Sequence, residues 1–405
     1  MLSGVRFLLI LFMIVLCCAH CCGQGALQSP QDSRFKPAVI KFDSWSLVTE
    51  TDESTEYVTS FPSAITSGYT ENDRVQLRVI LPVDVERPKM VMVLHYWGAP
   101  NLKVERALAR ELNLRGMGAA ILTLPFHLSR TPAGAVSGAM AIQPDPAKLV
   151  ATMSQAVFDV RRGLDFLETR GECGKIIGIY GTSLGAIISS LSYAVDSRLS
   201  NAVFLLGGAD LAKIIWDSSL TQPIRESLKS KGMTEVTLRE SLSDVEPSNY
   251  LAGKALGQTF VIRAKFDSVI PPICTDQLIS ALPKSQVLQI DTGHYGGIAV
   301  QGRLIRESAE FFATVAEGKT YSAPLRLVSP TIRIGLMGRS SGSFDVVAGI
   351  DILRWDKAGK QYASFLLTPR DPVLWMGSEI VKGLSLGVGL SRKETGIGLF
   401  WTTVL

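Results

Sequence analysis

The residues Gly181-Thr182-Ser183-Leu184-Gly185 decide the fold. They directly follow the apolar strand pattern Ile176–Tyr180 and directly precede a helical pattern over 184–195. A serine at so sharp a turn between strand and helix projects above the sheet, and the flanking glycines are needed because side chains there would clash. The pattern therefore predicts Ser183 as an exposed nucleophile.

A second stretch, Gly338-Arg339-Ser340-Ser341-Gly342, has the same spacing of glycine and serine. It lies between two strand-like runs, no helical pattern follows it, and no histidine occurs after it in the chain. Because the nucleophile motif needs its strand-to-helix context, we predict that this second match is an ordinary loop.

A nucleophilic serine needs a base, and neutral imidazole is suited to proton abstraction near pH 7. Among the four histidines, His294 stands in a loop after the last predicted parallel strand and is the predicted base. The third member should be a carboxylate between Ser183 and His294 in the chain. Asp267, which follows the strand Thr259–Ala264, fits this position, and Asp210 is the alternative.

The oxyanion of an acyl-transfer intermediate needs two amide donors, each worth roughly 3 to 4 kcal/mol in the barrier. Leu184 supplies one by its position after the serine. The second should come from the loop His95-Tyr96-Trp97-Gly98, where the choice between Tyr96 and Trp97 stays open. His127 and Phe126 are weaker candidates for the pocket wall, with ordinary loop or packing roles as the alternative.

Between about 89 and 316, short apolar runs alternate with longer helical patterns, which predicts an α/β fold with a mostly parallel sheet and helices on both faces. The predicted strands are Met90–Leu94, Ala119–Leu124, Ile176–Tyr180, Ala202–Leu206, Thr259–Ala264 and Gln286–Ile290. Earlier runs around Trp45–Thr49 and Val75–Leu81 would add antiparallel strands at one edge. The predicted helices cover 103–115, 149–170, 184–195, 273–282 and 299–316.

Two long connections, Pro125–Lys148 and Gly207–Gly257, are typical of lids over a site. After Tyr321 the pattern changes to alternating residues with turn signals, which predicts a small all-β C-terminal unit. Its predicted strands are too few to close on themselves; they are Leu325–Leu336, Phe344–Arg354, Tyr362–Leu367, Leu384–Leu390 and Gly396–Val404. The chain thus divides into a signal peptide (1-24), an α/β domain (40-318) and a β-rich unit (321-405).

From Val75 to Ala316 the chain resembles the α/β-hydrolase superfamily, because the oxyanion loop, the serine motif, the acid and the histidine occur in that order. Tyr96 departs from the pattern, since a glycine is common there. The stretch Phe266-Asp267-Ser268-Val269-Ile270-Pro271 is similar to dienelactone-hydrolase-like and acetyl-xylan-esterase-like members. The resemblance implies a serine hydrolase in which His95 braces the oxyanion loop.

The N-terminus resembles a signal peptide, with Arg6 before the apolar stretch Phe7–Cys18 and small residues near Gly25. This predicts export to the outside, the periplasm or the cell envelope. Cleavage near Gly25 would leave only Cys173 and Cys274, and either a disulfide or two buried thiols is compatible with their spacing. Membrane association through an uncleaved N-terminal segment or the β-rich tail is the less favoured alternative.

The net charge of +4 has no basic run behind it, so nucleic acid is not an expected partner. The chain has no metal or nucleotide motif, so no cofactor and no metal are expected. The sequence predicts an exported carboxylesterase-type serine hydrolase that acts on a small-molecule or glycan-linked ester. An amidase or peptidase on the same residues, or a non-catalytic envelope or surface binding protein, are the alternatives.

Overall fold

The computed structural model describes residues 34–251, 257–282, 284–324, 326–327, 332–339, 342–354, 361–381, 384–392 and 395–404. The predicted signal peptide and its four cysteines lie outside the described residues. Within the described ranges, no helix combines the length and the apolar character needed to cross a bilayer.

A ten-stranded sheet forms the centre of the larger part of the chain. Its strands are β1 Ser46–Glu50, β2 Ser54–Pro62, β3 Arg74–Pro82, β4 Lys89–Leu94, β5 Met117–Leu122, β6 Ile176–Thr182, β7 Asn201–Leu205, β8 Thr259–Ala264, β9 Ser285–Ile290 and β10 Arg326–Leu327. The spatial order is β1-β2-β3-β5-β4-β6-β7-β8-β9-β10. Strands β1 to β3 pair antiparallel, β3 pairs antiparallel with β5, and β5 through β10 run parallel.

Helices connect the parallel strands. They are α1 Lys103–Asn113, α2 Pro146–Glu168, α3 Leu184–Val195, α4 Leu211–Asp217, α5 Gln222–Ser230, α6 Glu235–Leu242, α7 Pro247–Leu251, α8 Pro272–Ser280 and α9 Gln301–Ala316. Helix α2 begins earlier than predicted, because Asp145 caps it by accepting from two backbone amides and Pro146 occupies the first turn. Helices α4 to α7 lie in the long connection predicted as a lid.

The strands of the sheet centre are buried on both faces, which explains their continuous apolar runs. In β4, Met90, Met92 and Leu94 point into one hydrophobic cluster, which includes residues of α2 and α3. Val91 and Val93 point into a second cluster, which includes residues of α1 and α9. This alternation follows from the two-residue period of a strand. The predicted α/β architecture is confirmed.

The C-terminal strands form a separate antiparallel sheet that closes on itself, because its first strand pairs with its last. Its strands are β11 Ile332–Gly338, β12 Phe344–Arg354, β13 Gln361–Leu367, β14 Pro372–Val381, β15 Leu384–Leu390 and β16 Thr395–Val404. We call β11–β16 the closed sheet. The expectation that too few strands were present for closure is wrong, because β14 was not recognised.

The closed sheet has apolar side chains on both its inner and its outer face. Inside, Met337, Val347, Tyr362, Leu366, Val373 and Trp375 pack into a small hydrophobic cluster. The interior also holds an ion pair between Arg333 and Asp351, with the Arg333 guanidinium 3.5 Å from the centre of the Tyr362 ring. Arg339 pairs with Asp345 and Asp371 in the same way. Apolar side chains point outward, among them Phe344, Val346, Ile352, Leu367, Ile380 and Val381.

The start of the C-terminal region differs from the predicted strand Leu325–Leu336. A short strand, β10, pairs with β9 in the large sheet, and a separate strand, β11, opens the closed sheet. Tyr321 packs in the second hydrophobic cluster of the large sheet. The domain boundaries 40-318 and 321-405 stay predictions.

Candidate active site

Ser183 occupies the tight turn between β6 and α3. Its backbone has φ 53° and ψ −115°, a conformation that costs a non-glycine residue about 1–3 kcal/mol. A Cβ atom on Gly181 would lie 2.2 Å from the carbonyl oxygen of Gly185, and one on Gly185 would lie 2.4 Å from the carbonyl oxygen of His95. The two glycines are therefore required by close backbone contacts, as the motif predicts.

The structure brings Ser183, His294 and Asp267 into one hydrogen-bonded chain. His294 Nε2 lies 3.0 Å from Ser183 Oγ, and His294 Nδ1 lies 2.8 Å from Asp267 Oδ2. All three side chains are buried. The loops after neighbouring strands β8 and β9 deliver the acid and the histidine to the same edge of the sheet, beside the end of β6.

The second carboxylate oxygen of Asp267 is held by the backbone. Asp267 Oδ1 accepts hydrogen bonds of 2.8 Å from the amides of Val269 and Ile270. These two donors leave Oδ2 directed at His294. Because a carboxylate is only an acceptor, the proton of the imidazole is placed on Nδ1, and Nε2 is left free to accept from the Ser183 hydroxyl.

The loop after β4 passes beside the serine turn and is braced by His95. The His95 Nδ1–H donates to the carbonyl oxygen of Tyr96 at 2.8 Å, and His95 Nε2 accepts from the amide of Leu124 at 3.0 Å. These two partners require the neutral ring. Burial lowers the pKa of His95 to about 3, which agrees with that state.

His127 braces the same loop from the next connection. Its Nε2 accepts from the amide of Gly98 at 3.0 Å, and its Nδ1–H donates to the carbonyl oxygen of Pro125 at 2.8 Å. Burial lowers the pKa of His127 to about 4. The indole of Trp97 donates to the carbonyl oxygen of Gly138 at 2.7 Å. Hydrogen bonds therefore hold three consecutive residues of the loop, at the Tyr96 carbonyl, the Trp97 indole and the Gly98 amide.

Two solved structures resemble this arrangement of sheet and helices. An acetyl xylan esterase from Paenibacillus is 18% identical with a TM-score of 0.51, over 68% of this chain and 98% of that one. Acetyl xylan esterase 1 from Thermoanaerobacterium is 15% identical with a TM-score of 0.51, over 68% of this chain and 92% of that one. The chain has the α/β-hydrolase fold.

At the level of sequence, two uncharacterized proteins from two strains of Mycobacterium tuberculosis are each 30% identical over 151 residues. The match covers 36% of this chain and 36% of each relative, so the chain spans about a third of the length of the curated relatives it matches. No family model matches the chain. The likeness to the hydrolase fold rests on structure.

A cavity of about 440 Å³ opens beside Ser183 and His294. Tyr96 and Trp97, from the loop after β4, line it. The wall also includes Leu206, Leu220, Tyr295 and Ile298, which the sequence did not single out. They stand in loops and in the first turn after His294, where no periodic pattern marks a role.

The weaker pocket candidates Phe126 and His127 do not line this cavity. Both are buried, and the amide of Phe126 donates to the side-chain oxygen of Asn72 at 2.7 Å. His127 is committed to Gly98 and Pro125, so its role in this hydrolase fold is to support the loop. Burial beneath a backbone turn is not visible in a sequence pattern, which explains the difference.

Asp210, the alternative acid, has other partners. Arg239 donates to both of its carboxylate oxygens, at 2.9 and 2.7 Å, and the amide of Lys213 donates to Oδ1 at 3.1 Å. Asp210 therefore caps helix α4 and ties it to α6. Of the two candidates, the structure brings Asp267 to the histidine.

The remaining candidate residues are the cysteines and the second serine motif. Cys173 and Cys274 are free and buried, and burial raises the pKa of each thiol to about 12. Gly338 and Gly342 lie at the hairpin between β11 and β12, whereas Ser340 and Ser341 lie outside the described residues. Within the part of the chain that the structure describes, no cluster of His, Cys, Asp and Glu could hold a metal ion.

Proposed function

We propose that this protein is a serine hydrolase that cleaves a carboxylic ester through an acyl-enzyme. The chain of hydrogen bonds from Asp267 through His294 to Ser183 is the observation that carries the proposal. In the first step His294 Nε2 takes the hydroxyl proton while Ser183 Oγ attacks the ester carbonyl. The protonated histidine then gives this proton to the departing alcohol, and water releases the acid by the same route.

Two backbone amides would stabilise the oxyanion. Leu184 is the first residue of α3, so its N–H has no acceptor within the helix. The carbonyl of Tyr96 points at the buried ring of His95. Because a peptide unit is planar and trans, the N–H of Trp97 points the opposite way, away from that ring. This favours Trp97 over Tyr96 as the second donor.

Hydrolysis of p-nitrophenyl esters tests the proposal. The wild-type chain should turn over at least one ester, and Ser183→Ala and His294→Ala should each lose at least 10³-fold in kcat. Ser340→Ala, in the second glycine-serine match, is the control and should keep wild-type activity. If Ser183→Ala and Ser340→Ala retain equal activity, the hydrolase proposal fails. If an amide but no ester is cleaved with the same Ser183 dependence, the ester assignment alone fails.

We also propose that the protein is exported. The basic and apolar pattern of its first 24 residues supports this proposal. Expression in a Gram-negative host with separation of periplasm and cytoplasm tests it, together with the N-terminal sequence of the product. Recovery of the uncleaved chain in the cytoplasm alone would contradict it.

The side chains of the closed sheet favour a contact with lipid, which the sequence left as the weaker alternative. Among its described strand residues of known exposure, the exposed positions carry no charge, whereas Arg333 and Asp351 are paired inside. Apolar residues point outward from each of strands β11 to β15, so one small protein partner could not cover them all. Transmembrane strands likewise direct apolar side chains outward, toward lipid. We propose that this sheet associates with a lipid bilayer.

Flotation of the full chain with neutral phosphatidylcholine vesicles tests the lipid contact. Val346→Glu places a charge on the outer face and should abolish flotation, because charges are excluded from hydrocarbon. Glu240→Gln, on exposed helix α6, is the control and should float like wild type. If the chain stays with the soluble fraction, the lipid proposal fails. If the chain forms a dimer that Val346→Glu disrupts, the outer face binds a second copy, and the lipid proposal also fails.

A further inference from the structure

The cavity beside Ser183 extends into the apolar layer between the large sheet and helices α1 and α9. Its wall includes Tyr180, Leu205, Leu304 and Ile305, all of which are buried. These side chains belong to the second hydrophobic cluster, which packs on that face of the sheet. At the outer end stands Ile298, which is 69% exposed. A ligand that reaches Ser183 therefore has a mostly apolar, partly open space beside it.

The wall of this cavity contains no Asp, Glu, Lys or Arg side chain among the residues that line it. The hydroxyl of Thr182 donates to the Tyr180 hydroxyl oxygen at 3.0 Å, so these two polar groups are paired with each other. The other polar side chains of the wall, besides Ser183 and His294, are those of Tyr96, Tyr295 and Gln301, so most of the surface that a ligand would contact is apolar. A sugar ring has a hydroxyl group on nearly every carbon, and hydroxyls that face the apolar part of this wall would be left unpaired and would weaken binding. A charged group would be excluded more strongly.

We infer that the substrate of this site is an uncharged ester whose hydrocarbon part fills the cavity, and that Ile305 limits its length. This inference rests on the proposed esterase function and names the substrate class. The hydrocarbon part could belong to the acyl group or to the alcohol, because the cavity adjoins the serine that both would flank. About 440 Å³ is the size range of pockets for small organic ligands, and exceeds what an acetyl group needs.

Two substrate series separate the acyl and alcohol sources. One series is p-nitrophenyl acetate, butyrate, hexanoate and octanoate, and the other is the acetates of ethanol, butanol, hexanol and octanol. Burial of each methylene should raise kcat/KM roughly two- to fourfold until the cavity is full. We expect a rise of at least tenfold from the shortest to the best substrate in one series. A higher kcat/KM for the shortest ester than for every longer ester in both series would overturn the inference.

Ile305 variants test which residue sets the limit. We compare kcat/KM for the best long ester with kcat/KM for the shortest ester of the same series. Ile305→Trp should lower this ratio at least tenfold, and Ile305→Ala should shift the optimum to a longer chain. Arg306→Trp, at the exposed neighbouring position of α9, controls for the added ring and should leave this ratio unchanged. If both Ile305 variants fold and keep the wild-type ratio, Ile305 does not limit the site and the inference is wrong.

Should Ile305→Trp fail to fold, the wild-type chain itself provides a second readout. The rate at which uncharged alkylphosphonate p-nitrophenyl esters modify Ser183 should be at least tenfold higher for an octyl than for a methyl group. Equal rates would overturn the inference while leaving the proposed function intact. No modification of Ser183 by either reagent, with no ester hydrolysed, would instead refute the proposed function.

Discussion

The hydrogen bonds of Asp267 make a sharp prediction for Asp267→Asn. Two backbone amides, of Val269 and Ile270, donate to Oδ1 of the carboxylate. An asparagine must keep its carbonyl oxygen at this position and turn its NH₂ group toward His294 Nδ1. The imidazole must then accept at Nδ1 and carry its proton on Nε2. In that tautomer Nε2 donates to Ser183 and cannot take its proton.

The magnitude follows from the loss of the base while the oxyanion donors and the cavity remain. We expect kcat to fall about 10⁴-fold, equivalent to about 5.4 kcal/mol at 1.36 kcal/mol for each factor of ten. The shape of the side chain is conserved, so the unfolding midpoint should change little. Steady-state hydrolysis of the best p-nitrophenyl ester, with thermal unfolding measured beside it, checks both expectations.

Asp210→Asn is the matched control for this substitution. It weakens the contact with Arg239, which lies in the connection between β7 and β8, and should change kcat less than about threefold. A fall of less than tenfold in kcat for Asp267→Asn would refute the tautomer argument. A large fall for Asp210→Asn, with none for Asp267→Asn, would show that the alternative acid serves the histidine.

Further predictions concern stability and the oxyanion loop. Burial lowers the pKa of His127 to about 4, so below about pH 6.5 the unfolded chain gains a proton that the folded chain does not, and the free energy of unfolding falls. His127→Gln should reduce the pH dependence of this free energy, measured by urea unfolding, by about 1.4 kcal/mol per pH unit between pH 6 and 4.5. An unchanged slope would contradict this. Burial raises the pKa of Glu105 to about 7, so the free energy of unfolding falls as pH rises from about 4.5 to 7. In the same assay, the stability of Glu105→Gln relative to wild type should increase by about 1.4 kcal/mol per pH unit over this range. A difference between the two proteins that does not vary with pH would show that the carboxyl is ionised in the fold. Gly185→Ala forces a Cβ against the His95 carbonyl oxygen and should cost about 1–3 kcal/mol in unfolding free energy and most of the activity, whereas wild-type stability would mean that the turn relaxes. Trp97→Pro removes one N–H and should lower kcat about 10²- to 10³-fold more than Trp97→Ala does; equal effects would point to the Tyr96 amide instead.

The parallel sheet and the position of the serine turn could be predicted because each rests on a local pattern. Strands such as β4 are buried on both faces and are therefore apolar throughout, and the glycines beside Ser183 are required by contacts within one turn. The spacing of Asp267 and His294 after successive parallel strands predicted the edge at which both lie. These features depend on residues near one another in the chain or on adjacent strands.

The features that escaped prediction depend on distant contacts or atypical patterns. Strand β2 is rich in Ser, Thr and Glu, and β14 begins at a proline and contains Gly377, so neither shows a strong alternation. The supporting role of His127 arises because its ring meets Gly98, which is 29 residues away. The cavity wall combines residues from several loops and helices that are distant in the sequence, so no local pattern predicts it.

Covalent labelling shows whether Ser183 is the nucleophile. The full chain is treated with an uncharged alkyl fluorophosphonate, digested, and analysed by mass spectrometry to locate the modified residue. We expect one adduct, on the peptide that contains Ser183, formed at least 10³-fold faster than in His294→Ala, because the reaction needs the base. An unlabelled wild-type chain, or equal labelling of wild type and Ser183→Ala, would contradict the assignment of Ser183 as the nucleophile.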